Sequence, residues 1–264
     1  MKKFELTTDR IEENRTALYR IKALIDFGNV KAGDFGGYVE KEENLSQSDN
    51  AWVYGNARVY GDACVCGNAC VRDNAWVYDN ARVSDNARVS GDACVSGDAH
   101  VCGNACVRDN AWVYGNARVR GNAWVSGDAC VYGDARVSGD ACVSGDACVF
   151  GNAEVSGDAW MYGSARVYGN AQVCGDAQVH GDAYVYGDAL IFSNADYIFL
   201  KGFGSHNRST TMFRTKGGNI CVSCGCFSGT LQEFESKVKE THGNNKFARE
   251  YLALVEVAKI HFEV

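Results

Sequence analysis

From Asp49 to Ile198 the chain repeats one six-residue pattern without an insertion, and that pattern leaves few folds open. It begins Asp-Asn-Ala-Trp-Val-Tyr, continues Gly-Asn-Ala-Arg-Val-Tyr and Gly-Asp-Ala-Cys-Val-Cys, and runs for 25 hexads. The third position is always Ala, and the fifth is Val in 22 hexads, with Met161, Ile191 and Tyr197 as the exceptions. Ala-x-Val-x alternates with the period of a β-strand, so Ala and Val point to one side and both x residues to the other. The Gly-Asp and Gly-Asn pairs between strands are turn dipeptides, because Gly and Asn tolerate positive φ. A four-residue strand and a two-residue corner make one side of a coil. Ala and Val fill only a narrow interior, so the coil should be the smallest closed polygon, with three sides and eighteen residues. Stacked parallel coils about 4.8 Å apart then give a rod of ~40 Å over roughly eight coils.

The composition of this segment is skewed as a repeat requires: no Lys, no Thr, no Pro, and a single Leu at Leu190. It holds nine Arg against seventeen Asp and one Glu, a balance of −9 in a chain of net charge −7, so the flanks together carry +2. An acidic rod repels phosphates, which argues against nucleic acid as a partner. Arg interleaved throughout argues against nucleic-acid mimicry as well. No segment has the eighteen or so apolar residues of a membrane span, and Met1-Lys-Lys-Phe-Glu-Leu lacks the apolar core of a signal peptide. Ten of the 13 Cys lie in the repeat and the others are Cys221, Cys224 and Cys226. A cytoplasmic protein with reduced thiols is the expectation.

An aliphatic residue followed four positions later by a small one, as in Val53 to Ala57 and Val59 to Ala63, resembles the pattern of the bacterial transferase hexapeptide-repeat proteins. That resemblance implies an all-β solenoid, a left-handed parallel β-helix with three hexads per coil. It says little about activity, because the same prism is used without catalysis. The leader, Tyr19-Arg-Ile-Lys-Ala-Leu-Ile-Asp-Phe-Gly, then Val30-Lys-Ala-Gly-Asp-Phe-Gly-Gly-Tyr-Val-Glu and Asn44-Leu-Ser-Gln-Ser, is similar to that of uncharacterised members. The tail around Gly225-Cys-Phe-Ser-Gly-Thr-Leu-Gln-Glu-Phe and Thr241-His-Gly is similar to that of prophage-encoded members.

Three segments follow: a cap and first coil at 1–48, the β-helix at 49–198, and an α+β unit at 199–264 that acts as cap or recognition module. A solenoid must cover its ends, since bare terminal coils offer unpaired backbone groups. Phe4 to Leu6 and Tyr19 to Phe27 read as strands, and winding is expected to begin near Gly36. In the tail, Thr211–Thr215 and Ile220–Phe227 read as a hairpin. Thr230 with Glu233 forms a capping box that starts a helix ending before Gly243. A second helix is expected from Lys246 to His261.

Candidate chemistry is sparse. The resemblance implies that an acyltransferase-like enzyme, the alternative reading, would use a His in a cleft between prisms. The repeat offers only His100 and His180, and no hexad is interrupted to make a loop. Cys221, Cys224 and Cys226, with His206 or His242, could be considered for zinc, but a structural site wants two separated pairs, and Cys221 and Cys224 should face opposite sides of a strand. The columns Asp140, Asp158, Asp176 and Asp128, Asp146 could attract Ca²⁺, yet read better as solvated corners. Asn50, Asn68, Asn86, Asn104 and Asn122 on the first of these corners suggest an amide ladder. Ice binding would want rows of Thr. No catalytic residue, metal or cofactor is expected.

The outer faces carry the remaining information. One stacks Tyr60, Tyr78, Ser96, Tyr114, Tyr132, Phe150, Tyr168 and Tyr186, with Trp76, Trp112 and Tyr184 in the row beside them. The next holds Arg82, His100, Arg118 and Arg136, with Arg120 alongside. The third is mixed, with Trp52, Trp124 and Trp160 among Cys, Arg and Ser. An aromatic strip of this length exceeds what monomers usually leave wet, and Tyr, Trp and Arg are enriched in interface cores. The expectation is a non-enzymatic binding or scaffold protein. Its aromatic face meets a protein partner or a second copy, as homodimer or homotrimer, with the basic row at the rim.

Overall fold

A computed structural model describes residues 2–204 and 206–264. Three parallel sheets form the sides of a prism, with register offsets of eighteen residues: Arg58 pairs with Trp76, Cys64 with Arg82, and Trp52 with Cys70. There are 24 two-residue strands, from Trp52–Val53 to Leu190–Ile191. Every Ala and Val-position residue from Ala51 to Ile191 is at most 1% exposed, so the alternation points inward as the pattern requires. Coils are joined by ladder hydrogen bonds such as Trp112 N–H to Ala129 O at 2.9 Å.

The corners show why position one is Gly or Asp. Its φ is positive at every Gly and Asp there, +74° at Gly121, where an added Cβ would lie 2.9 Å from the backbone of Gly139. Asp73, Asp79, Asp85 and Asp109 adopt the same left-handed conformation at φ 59–65°. Each offsets the strain by accepting the N–H of the glycine one coil on, as in Asp85 Oδ2 with Gly103 at 2.9 Å. Position two forms the expected amide ladder: Asn50, Asn68, Asn86, Asn104 and Asn122 each donate to the next, and Asn122 donates to Asp140 at 2.7 Å.

The prism is about nine coils deep rather than eight, because the leader supplies one. Strand β3 (Phe35–Val39) pairs in parallel with Arg58–Val59, and Leu45 bridges Val65. Strand β1 (Phe4–Glu13) and strand β2 (Thr16–Ala23) then extend the aromatic sheet as an antiparallel hairpin. β1 runs seven residues past the expected Leu6, turning at Asn14 and Arg15 with φ 48° and 71°. β2 stops at Ala23 instead of Phe27, because Asp26 turns aside to accept the Ala32 N–H at 2.9 Å. The charged residues of β1 deter strand addition at this free edge.

The leader also buries Trp52, which sequence places on the outer surface. It is 1% exposed, edge-on to Phe4 at 6.1 Å and Phe27 at 5.3 Å. Lys3 plugs the same end, 2% exposed, donating to Ala51 O at 2.9 Å and Ser48 O at 3.3 Å. Burial pulls its amine down to about 8 against the opposing pull of Asp49.

At the other end the last hexad leaves the pattern. Ser193 caps a 3-10 turn at Asn194–Asp196, Ala195 is exposed, and a strand starts at Tyr197. Four antiparallel strands, Tyr197–Phe203, Arg208–Arg214, Ile220–Cys224 and Phe227–Thr230, pack one face on the final coil. Helices α1 (Leu231–His242) and α2 (Lys246–Phe262) cover the other face. Thr230 and Glu233 make the capping box, and α1 ends at Gly243 with φ 55°.

Candidate functional site

The row at the last position of each aromatic-face hexad is stacked ring on ring. Tyr114, Tyr132, Phe150 and Tyr168 lie 4.8–4.9 Å apart with interplanar angles of 1–2°, and Tyr186 follows at 5.6 Å. Tyr60 and Tyr78 form a separate pair at 5.1 Å. Ser96, buried, breaks the row between them. The spacing is the coil spacing, imposed by the parallel register, so rings here must stack once they share a rotamer.

Stacking changes what the row presents. From Tyr114 to Tyr168 the rings are half-buried because each covers its neighbours, and edges rather than faces meet solvent. Tyr186 is instead closed off by the C-terminal unit, donating to Val222 O at 3.2 Å and lying edge-on to Phe213 at 5.2 Å. The exposed aromatics of this face are in the companion row: Trp112 at 49% and Tyr184 at 36%. Trp76 is half-buried under Arg58, whose guanidinium carbon lies 4.7 Å from its ring centre. Arg166 lies over Tyr184 at 5.5 Å in the same way. These two arginines are the only charges in the two rows, and Arg58 also faces Glu13 of the leader hairpin at 3.5 Å. Burial pushes the Tyr60 hydroxyl up to about 12, and raises those of Tyr78, Tyr114, Tyr132 and Tyr168, so the row is neutral at pH 7.

The basic row lies just past the next corner. Arg82, His100, Arg118 and Arg136 are paired in succession, and Arg136 meets Glu154. Arg82, Arg118, Arg120 and Arg136 are exposed, and among the described residues none has a carboxylate within ion-pair distance. His100 is held below the usual imidazole range by burial, then by Arg82 and Arg118, so it is neutral at pH 7. The aromatic and basic rows therefore flank one corner ridge, whose Asn80–Asp98 and Asn116–Asp134 pairs are closed by hydrogen bonds.

The two repeat histidines are on different faces. His180 is occupied by packing, stacked on Tyr162 at 5.3 Å and edged by Phe199 at 5.7 Å. Cys221 and Cys224 do face opposite sides of their strand: Cys221 packs toward the prism and Cys224 toward the helices. Among the described residues no three His, Cys, Asp or Glu side chains converge on a point that could hold a metal. All thirteen cysteines are unbridged. No helix among the described residues is long and apolar enough to cross a membrane.

Sequence reasoning missed two concave sites, because both depend on the flanks. One is an open groove of about 880 Å³ between the leader turn at Gly28 and the mixed face, lined by Tyr54, Cys70, Arg72 and Arg88. The other is a cavity of about 440 Å³ inside the C-terminal unit.

A family model described as the YdcK beta solenoid repeat matches residues 51–67, 75–91, 81–97, 87–103, 111–127 and 165–181. Every window opens on the third-position Ala of a hexad and spans about one coil, so the match follows the repeat itself. The chain is similar to that family over well under half its length, and it is a repeat β-helix protein. No curated protein matches the chain.

Proposed function

We propose that this protein is a non-enzymatic scaffold that associates with a second copy of itself through the aromatic face, as a dimer or trimer. The observation that carries the reading is the four-ring stack from Tyr114 to Tyr168 beside exposed Trp112 and Tyr184, in two rows whose only charges, Arg58 and Arg166, lie over rings. A partner that meets every ring must share the coil spacing, and another copy of the same prism does. The unpaired arginines Arg82, Arg118, Arg120 and Arg136, with His100, then sit at the rim and orient the partner. We place the chain among the prophage-encoded hexapeptide-repeat proteins, on the support of its leader and tail, and in the cytoplasm, on the support of its many unbridged thiols.

The test is sedimentation velocity across a concentration series on wild type and Trp112→Glu. A carboxylate at this strand position is compatible with the fold, since Glu154 occupies the equivalent position on the basic face. Wild type should associate and Trp112→Glu should sediment as a folded monomer, because an interface would bury its charge. Arg82→Ala with Arg136→Ala should weaken association mildly and mainly at low salt. Wild type that stays monomeric, or a Trp112→Glu protein that associates equally, overturns the reading.

A further inference from the structure

The cavity inside the C-terminal unit is built with two kinds of wall. Its floor is apolar and buried: Phe234 and Val238 of α1 are each 4% exposed, and Cys224 and Tyr251 each 6%. Phe234 stands edge-on to Tyr251 at 5.6 Å, and His242 leans on Tyr251 at 5.8 Å. Burial pushes the Tyr251 hydroxyl up to about 12, so it remains a neutral donor.

The mouth is cationic. Gly225, at φ +61°, permits this: a Cβ there would sit 2.0 Å from Nη1 of Arg208, so the bare turn lets the guanidinium lie across the opening. The contact this group makes is a weak one, Nη1 to Cys226 Sγ at 3.8 Å. Among the described residues no carboxylate lies within ion-pair distance of Arg208, although the unit is rich in such pairs. Arg214 faces Asp196 at 3.5 Å, Lys259 faces Glu235 at 3.2 Å, and Lys237 faces Glu240 at 2.9 Å. A guanidinium carries five N–H donors in a planar fork, and here most of them are unspent beside an apolar cavity.

We propose that this cavity binds a small carboxylate with an aromatic or branched aliphatic body, its carboxylate on the fork of Arg208 and its body on Phe234, Val238 and Tyr251. The volume of about 440 Å³ falls in the range of small-molecule sites. The fork geometry selects a planar two-oxygen anion. The neutral analogue would leave the guanidinium without that partner and gain only the apolar contact. The cavity floor lies on the side of the sheet away from the prism, while Arg208 at its mouth also borders a smaller pocket with Tyr184.

The test uses the full chain and ¹⁹F NMR titration with 4-fluorophenylacetate, with 4-fluorophenylacetamide as the uncharged control. The acid should show a saturable shift and bind at least about tenfold more tightly than the amide, as a charge-assisted bidentate contact requires. Arg208→Gln, with its near-ultraviolet circular dichroism unchanged, should bring the acid down to the level of the amide. Arg208→Lys keeps the charge without the fork and should fall between. No saturable shift, equal binding of acid and amide, or an undiminished preference in Arg208→Gln overturns the proposal. Equal binding is also what adventitious uptake by the aromatic face would give.

Discussion

Replacing Tyr132 by Ala separates the two things a ring on this face can do. Tyr132 stacks on Tyr114 and on Phe150, both at 4.9 Å. Each such contact is worth about 0.5–1.5 kcal/mol beyond area burial, so Tyr132→Ala forfeits roughly 1–3 kcal/mol from stacking alone. Lost burial of a half-covered ring adds on the order of 1 kcal/mol. Trp112 is larger but 49% exposed, so Trp112→Ala should cost no more than about 1 kcal/mol of monomer stability. Residue size alone would rank them the other way. Each coil touches only its neighbours, so the loss in Tyr132→Ala should appear as local opening of the coils around residues 114–150. Amide hydrogen exchange on dilute protein reads this directly, and a double-mutant cycle between Tyr132 and Phe150 should give a coupling of about 0.5–1.5 kcal/mol. A Tyr132→Ala protein no less stable than Trp112→Ala, or a cycle with no coupling, would refute the stacking argument.

Three further outcomes follow. Ala111 is 0% exposed among Val and Ala, so Ala111→Leu should overpack the interior and lower stability by about 1–3 kcal/mol, read by chemical denaturation. The amine of Lys3 is held near 8 against 10.5 in the unfolded chain, so below pH 8 both states are protonated and the cost of burying the charge is fully present. Between pH 8 and about 9.5 the unfolded state holds a Lys3 proton that the folded state releases, so stability relative to Lys3→Met should climb by on the order of 2 kcal/mol. The thiols and tyrosines whose acidity burial suppresses pull absolute stability the other way in both proteins. Among the thiols, exposed Cys226 should alkylate first, and buried Cys94, whose acidity burial suppresses, should lag by more than about tenfold in peptide mapping.

The prism was legible because its physics is local. A strict Ala-x-Val-x alternation with Gly-Asp corners allows only one side of each strand to face inward, and 22 valines repeat the instruction. The capping box at Thr230 and Glu233 was equally plain. Less legible were elements whose reason lies in another segment. β1 has no clean alternation because neither of its faces is fully covered, and its turn at Asn14 and Arg15 uses neither Gly nor Pro. Trp52 looks like any outward aromatic until the leader folds back and sets Phe4 and Phe27 against it. The departure of the last hexad had a signal, Ser193 for Gly and Tyr197 for Val, that a fixed period overrides.

The rows on the prism faces were also placed correctly by counting in eighteens, yet counting cannot say whether a ring shows its face or its edge. That depends on the neighbours: identical rings on a parallel ladder cover one another, whereas Trp112, between Cys94 and Cys130, has no ring on either side to cover it. The residue that most resembles an interface anchor is therefore the one that interrupts the pattern of its row, not the members of the longest stack. The same logic applies to Arg58 and Arg166, which in the fold lie over Trp76 and Tyr184, with Arg58 also facing Glu13. Arg82, Arg118 and Arg136 have no Tyr or Trp at the next coil, and so they remain available at the rim: Arg82 stands between Cys64 and His100, Arg118 between His100 and Arg136, and Arg136 between Arg118 and Glu154. On a solenoid the chemistry of a side chain is set by what stands one coil above and below it, and that is where substitutions at these faces should be read.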